Sequence, residues 1–282
     1  MNTETPLAGL LVVATPIGNL GDISIRAQQV LRDVDAIACE DTRHTRKLLS
    51  ACGITGKRLL AVHEHNEIEA ADGIVGLLVG GKTVALVTDA GTPGISDPGE
   101  RVIAAVIAAG MPLTCVPGPS AVIVALVLSG LDTTRFTFEG FLPRKGRERT
   151  DRISELATER RTVVLYESPQ RVATTLADLR EPVGGDRRIA VCRELTKRFE
   201  TVWRGTLADA PQALGEPRGE YVLVLEGAPA PVAAIHDDDI RIALHEHLAA
   251  GTSVRDSVAA VVAATGAPRR QVYALAVQHK RN

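Results

Sequence analysis

Three loops rich in glycine and proline each follow a short apolar run, a composition suited to holding a ligand. The most informative is Asp89-Ala-Gly-Thr-Pro-Gly-Ile-Ser-Asp-Pro-Gly99, between the run Val84–Val87 and a helical pattern that resumes near Glu100. Its glycines at 91, 94 and 99 let backbone approach a ligand closely, while Pro93 and Pro98 stiffen the loop. Ordinary connections have a median of about 4–6 residues, so this one is longer than joining alone requires. Thr15-Pro-Ile-Gly-Asn-Leu-Gly-Asp22 after the run at 10–14, and Pro117-Gly-Pro-Ser-Ala121 after Leu113–Val116, repeat the arrangement. A continuous apolar run reads as a buried parallel strand, and open α/β sheets bind ligands beyond the carboxyl ends of such strands. The three loops therefore predict one small-molecule site. None contains Gly-x-Gly-x-x-Gly, which argues against a dinucleotide-dependent dehydrogenase.

A second set of reactive residues lies at the same predicted edge. Glu40-Asp41-Thr42-Arg43 packs two carboxylates and an arginine into four positions, a costly grouping beside a cleft unless solvated or paired. Asp41 either N-caps the helix that follows or, with Glu40, accepts the proton of an attacking hydroxyl. Arg43 has the fork geometry to hold a phosphate. In His63-Glu-His-Asn66 the two imidazoles point the same way on an extended chain, yet no third ligand is spaced to join them. Catalytic zinc takes three protein ligands plus water, so no metal is expected, and His63 reads as lining a cleft, touching substrate or simply solvated. Gly76-Leu-Leu-Val-Gly-Gly-Lys-Thr83 matches the phosphate-loop pattern letter for letter. It ends a helix and opens a strand, the reverse of the order that pattern needs, and is read as coincidence.

The elements that must position these groups alternate. Strands are expected at 10–14, 35–39, 59–62, 83–88 and 113–116, with helices at 24–33, 42–50, 66–79, 99–109 and 119–129. Such alternation predicts a parallel sheet covered on both faces. Strands near 136–140, 162–166, 188–193, 199–205 and 220–225 then predict a second α/β lobe with a mixed sheet, and a helix is expected from Ser168 with Pro169 at its first position. The Pro/Ala-rich stretch from Gly227 reads as a linker. Beyond it, 237–250, 253–264 and 269–279 read as three helices, the last two joined as in a helix-turn-helix. The expected organisation is 1–117, 118–227, a linker at 228–235 and a helical module at 236–282.

Composition bounds the partners. The 282 residues are 45% hydrophobic and 23% charged, with a net charge of −2. That balance excludes indiscriminate coating of nucleic acid, which rests on phosphate neutralisation, while leaving room for a local basic patch. Aromatic residues make up 3%, too few for a base-stacking platform. No apolar run approaches the ~18 residues of a membrane span, and residues 1–6 lack the features of a signal peptide. Of the four cysteines, Cys39, Cys115 and Cys192 lie in apolar strand-like runs and read as reduced core residues of a cytoplasmic protein.

Ala14-Thr-Pro-Ile-Gly-Asn-Leu-Gly-Asp22, Cys39-Glu-Asp-Thr-Arg43, Asp89 to Gly99, Pro117-Gly-Pro-Ser-Ala121 and Tyr166-Glu-Ser-Pro-Gln-Arg171 occur in this order. Together they resemble the tetrapyrrole-methylase superfamily of S-adenosylmethionine methyltransferases, over about Leu10 to Gly227 and weakly in the tail. Within it, the resemblance is to the branch that acts on bacterial small-subunit ribosomal RNA. It implies two α/β lobes clamping S-adenosylmethionine in the cleft between them, no metal, a homodimer, and transfer to the ribose 2′-hydroxyl of cytidine 1402 of 16S rRNA in the 30S subunit. The cofactor contacts it implies are Pro16, Thr88, Asp89, Ala90, Gly91, Ile95, Ser96, Ser120, Ala121, Tyr166, Glu167 and Leu195. RNA contact is expected of Arg43, His63 and Arg171, of Arg144, Lys145 and Arg147 in a run of five cations against Glu148 and Asp151, and of Arg269 and Arg270 in a tail that also carries Lys280 and Arg281. A charge run is more often only a solvated face. Methylation of a tetrapyrrole ring carbon is the alternative within the fold. A non-catalytic RNA-binding or ribosome-assembly protein is the alternative from another class.

Overall fold

Five of the apolar runs pair side by side as the parallel strands β1 (Leu10–Val13), β2 (Ala36–Cys39), β3 (Arg58–Ala61), β4 (Val84–Val87) and β5 (Leu113–Val116), in the order β3-β2-β4-β1-β5. The computed structural model describes residues 9–216, 218–230 and 236–279. The continuous apolarity of β1, β2 and β4 follows from burial on both sides. Leu11, Val13, Ile37, Ala85 and Val87 pack on α1 (Ile25–Asp33) and α2 (Thr42–Ala51). Leu10, Val12, Ala38, Val84 and Leu86 pack on α3 (Glu67–Val79) and α4 (Glu100–Ala108). Ser24 caps α1 by accepting from the Ala27 amide at 3.0 Å. The edge strand β5 is the exception: residues 113–115 are exposed, so Cys115 is not the core thiol its sequence suggests.

The second sheet is mixed. It holds β6 (Phe136–Phe141), β7 (Thr162–Glu167), β8 (Arg188–Arg193), β9 (Thr201–Thr206) and β10 (Tyr221–Leu225) in the order β6-β7-β10-β8-β9. Only β6 and β7 run parallel; the other pairings are antiparallel. Helices α6 (Gly146–Thr158) and α7 (Val172–Val183) cover one face, and α5 (Ala121–Ser129) covers the other. Ile17, from the loop after β1, is buried in the α5 cluster. The helix expected from Ser168 starts four residues later. The Ser168 carbonyl accepts from the amides of Arg171 (3.1 Å) and Val172 (3.0 Å), closing a turn before α7 begins.

By packing, the chain divides into Met1–Ala228, which contains both α/β lobes, and Pro229–Asn282. In the second unit α8 (Asp237–Ala249), α9 (Val254–Thr265) and α10 (Arg269–His279) bury Ile240, Leu244, Val258, Val261, Val272 and Leu275 against one another. Each of these helices is near the ~12–15 residues below which an isolated helix is marginal in water, so mutual burial sustains them. Residues 1–6, the linker positions 231–235 and the cations Lys280 and Arg281 lie outside the described residues. Among the described residues no helix is long and apolar enough to cross a membrane.

Candidate active site

The loops after β1 and β4 are bound to each other before they are bound to anything else. Thr15 and Gly91 exchange backbone hydrogen bonds of 2.8 and 3.1 Å as an isolated bridge, and the Thr15 hydroxyl donates to the Thr88 carbonyl at 3.1 Å. Gly91 takes φ +78°, a left-handed conformation that costs glycine little. Ser96 has φ +63° in the same loop, and non-glycine strain of this kind gathers at functional sites. Against this frame lies a cavity of about 280 Å³. Ala90, Gly91, Ile95 and Ser96 line one side, Ser120 and Ala121 at the start of α5 another, and Tyr166, Glu167 and Leu195 the second lobe's wall.

The remaining expected cofactor positions fall elsewhere. Pro16 and Asp89 line a second cavity of about 260 Å³, which shares Ile17, Ala90 and Glu220 with the first. Thr88 lines neither; it is 3% exposed, and its hydroxyl donates to the Ala90 carbonyl at 3.3 Å, shaping the loop from behind. Sequence reasoning missed Ile17, Asp97, Phe141, Glu220, Tyr221 and Val222, all on the first cavity's wall. Asp97 lies inside the loop Asp89–Gly99, with no local signal to set it apart from Asp89. Glu220 to Val222 carry no local signal. They reach the cleft because Tyr221 pairs across β10 with both Glu167 and Arg193.

Charge in the cleft is held at unusual values. Burial, reinforced by the charges of Glu40, Asp89 and Glu220, pushes the Asp97 carboxyl up to about 7. Burial also pushes the Tyr166 hydroxyl up to about 12, and the ring packs edge-on against Phe138 and Phe141 at 4.9 and 5.7 Å. The Tyr221 hydroxyl is buried with no hydrogen-bond partner among the described residues. By contrast, Glu167 is internally satisfied: it accepts from the Ser168 amide at 2.8 Å and the Thr175 hydroxyl at 2.6 Å, and pairs with Arg171 at 3.4 Å. Arg171 also donates to the Leu142 carbonyl at 2.6 Å. Its guanidinium braces the loop before α6.

Glu40 and Asp41 line neither cavity. Asp41 caps α2 by accepting from the Arg43 amide at 2.7 Å, and its other oxygen takes the Arg43 guanidinium at 2.7 Å. These bonds hold its carboxyl well below the usual carboxylate range, so it is a poor proton acceptor near neutrality. Glu40 moves the other way, raised first by burial and then by the charge of Asp89.

The basic run after β6 resolves into unlike parts. Arg149, counted among its cations, is 8% exposed and donates to the Pro143 carbonyl, the Thr175 hydroxyl and Asp178 at 2.8–3.0 Å, an internal strut between α6 and α7. Arg152 pairs with Glu139 and Glu155, and Arg147 with Asp151 at 3.3 Å. Arg144 and Lys145 are exposed and form no ion pair among the described residues. His63 is exposed, with its ring 6.0 Å from that of His65. Among the described residues no three His, Cys, Asp or Glu side chains converge as a metal site. Lys82 of the phosphate-loop look-alike pairs with Asp35 at 3.1 Å. Arg269 and Arg270 are exposed on the first turn of α10, in the separate helical unit.

Comparison with known proteins places these features. Residues 9–211 match the family of Tetrapyrrole (Corrin/Porphyrin) Methylases, and residues 234–280 match the RsmI C-terminal HTH domain. A protein of Xylella fastidiosa named ribosomal RNA small subunit methyltransferase I is 49% identical over 94% of this chain and 97% of its own length. A Synechocystis protein of the same name is 44% identical over 95% and 97%. Uroporphyrin-III-C-methyltransferase from Thermus thermophilus shares the fold with a TM-score of 0.57 at 20% identity, covering 78% of this chain and 94% of its own.

Proposed function

We propose that this chain, which belongs to the tetrapyrrole (corrin/porphyrin) methylase family, methylates small-subunit ribosomal RNA with S-adenosylmethionine as donor, at the ribose 2′-hydroxyl of cytidine 1402 in 16S rRNA. One observation carries RNA over a tetrapyrrole. The likeness to proteins named for small-subunit ribosomal RNA runs through the helical tail, over 94–95% of the chain, whereas the solved uroporphyrin enzyme covers 78%.

The first cavity suits the donor. It offers apolar walls at Ile17, Ile95, Leu195 and Val222, an unpartnered buried hydroxyl at Tyr221, and carboxylates at Asp97 and Glu220 for a ligand bearing an ammonium and a sulfonium. S-adenosylmethionine, when bound, supplies an activated methyl group on sulfur. The protein's part is to exclude water, align the acceptor hydroxyl and take its proton. Alignment supplies much of the rate in such displacements, and a positioned base is typically worth about 10²–10⁴-fold. Asp97 is the group placed to be that base: it lines the cavity, and its carboxyl titrates near the working pH. A second copy of the chain and a cytoplasmic location are expected from the resemblance, as is donor binding without metal.

Transfer of tritiated methyl to 30S subunits, followed by mapping of 2′-O-methylation, tests the proposal. One labelled ribose in 16S rRNA is expected. Label on a tetrapyrrole instead would give the site to the alternative chemistry, and 30S binding without transfer would leave an RNA-binding protein.

A further inference from the structure

The donor accounts for the first cavity and leaves the second without an occupant. We infer that the second cavity seats the sugar and phosphate of the target nucleotide, with His44 and Lys47 of α2 holding its phosphates; this rests on the rRNA reading above. A methyl acceptor must come within about 3–3.5 Å of the reacting carbon, so its sugar has to occupy space that opens onto the donor's. The second cavity does so, sharing Ile17, Ala90 and Glu220 with the first.

Its chemistry is that of a nucleotide site. Leu20 and Leu48 give it an apolar wall, Asp89 and Glu220 give acceptors for hydroxyl or amino protons, and His44 and Lys47 face it from one helix. The helix itself is built against its own interest. Residues 43–47 read Arg-His-Thr-Arg-Lys, so four basic side chains crowd the N-terminal half of α2, and its first turn carries no acid. The positive end of the helix dipole favours anions there, and cations are unfavourable. Asp41 compensates Arg43 alone. Arg46 and Lys47 are exposed and form no ion pair among the described residues. An anionic partner would relieve this arrangement, and phosphate is the anion an RNA strand supplies.

The other lysine on the wall, Lys197, has a different task. The stem of Lys197 lies so close over Gly18 that a Cβ there would fall 2.3 Å from Lys197 Cγ, and its ammonium spans Glu194 at 2.9 Å and Glu220 at 3.0 Å. It is neutralised already and serves to fix Glu220 at the passage between the cavities. Glu194 and Thr196, on the loop that carries it, hold left-handed backbone at φ +52° and +64°, strain of the kind that marks functional loops.

The test measures binding to 30S subunits across a salt series for the full chain and for His44→Ala, Lys47→Ala and Lys47→Arg, with donor affinity by calorimetry alongside. Both side chains are exposed, so the fold should be retained, as matching melting curves would verify. Lys47→Ala should lower the log–log salt slope by about one, His44→Ala should weaken 30S binding, and the pair together should weaken it about tenfold. Lys47→Arg should restore the slope, and donor affinity should stay at the wild-type value throughout. Unchanged 30S affinity and slope in the alanine variants would overturn the inference. So would a parallel loss of donor affinity, which would give the cavity to the donor. Wild-type protein that neither binds nor methylates 30S subunits would remove the rRNA reading itself, and this inference with it.

Discussion

The loops that follow β2 and β4 leave neighbouring strands of one sheet at the same edge, and both carry carboxylates, yet they hold them in opposite states. After β2, Asp41 is tied to the amide and guanidinium of Arg43 and stays ionised far below neutrality. After β4, Asp97 has no cation beside it; burial and three neighbouring carboxylates keep its proton on to about pH 7. The lesson is that chemical type and position at a strand end do not make a base. What separates the two is the pairing: Asp41 is tied to an arginine two residues on, and Asp97 is surrounded by other carboxylates.

The contrast is broken most directly at the two aspartates. Asp97→Asn should lower kcat for methylation of 30S subunits by about 10²–10⁴-fold while leaving 30S affinity unchanged. Asp41→Asn should leave kcat within a few-fold of wild type and lower the melting temperature through the weakened cap of α2. The reverse pattern would restore Asp41 as the base. Next in size is Gly91→Val. A Cβ at Gly91 would meet Ile17 at 3.6 Å, an ordinary contact, so the harm comes from φ +78°. A β-branched residue there costs roughly 1–2 kcal/mol and shifts the loop; donor affinity should fall about tenfold, and normal donor binding would remove the loop from the donor site.

The same contrast between spent and available charge recurs after β6. Arg149→Ala should cost about 2 kcal/mol of stability, because it strands Asp178 and two further acceptors. Replacing both Arg144 and Lys145 with Ala should leave stability within about 0.5 kcal/mol and lower the salt slope of 30S binding. A flat response would make this face merely solvated. Stability should also change with pH. Unfolded Asp97 releases its proton near 3.8, whereas the folded residue keeps it to about 7. Between those values the folded state binds more protons, so stability falls as pH rises. Ligand-free Asp97→Asn should therefore melt above wild type near pH 8, by a margin that shrinks toward pH 5.

The parallel sheet was legible because strands buried on both faces must be apolar throughout, as Val84–Val87 is. Helix α6 was not, because Gly-Arg-Glu-Arg-Thr-Asp-Arg reads as a charged loop until Arg149 and Ile153 are seen to turn inward. Nine of the twelve donor contacts implied by the resemblance line the first cavity, six of them on loops whose glycine and proline content marks backbone able to meet a ligand. Asp97 and Tyr221 could not be found that way. Their character comes from burial and from partners distant in sequence: Glu40, Asp89 and Glu220 for one, Glu167 and Arg193 across the sheet for the other. The α2 cations were legible in principle, but only Arg43 drew notice, being next to the carboxylates.

The bridge between Thr15 and Gly91 has a mechanical meaning. Two residues beyond it, Ile17 is buried among α5, β7, β8 and β10 of the second lobe. The loop after β1 is thus riveted at one end to the first lobe and wedged at the other into the second. Swinging the lobes apart would require extracting Ile17 from an apolar core, a displacement costing on the order of 1.5–3 kcal/mol for that side chain alone. The bridge and Ile17 thus resist lobe opening, and the Thr15 and Gly91 amides should exchange with solvent more slowly than those of the exposed loops.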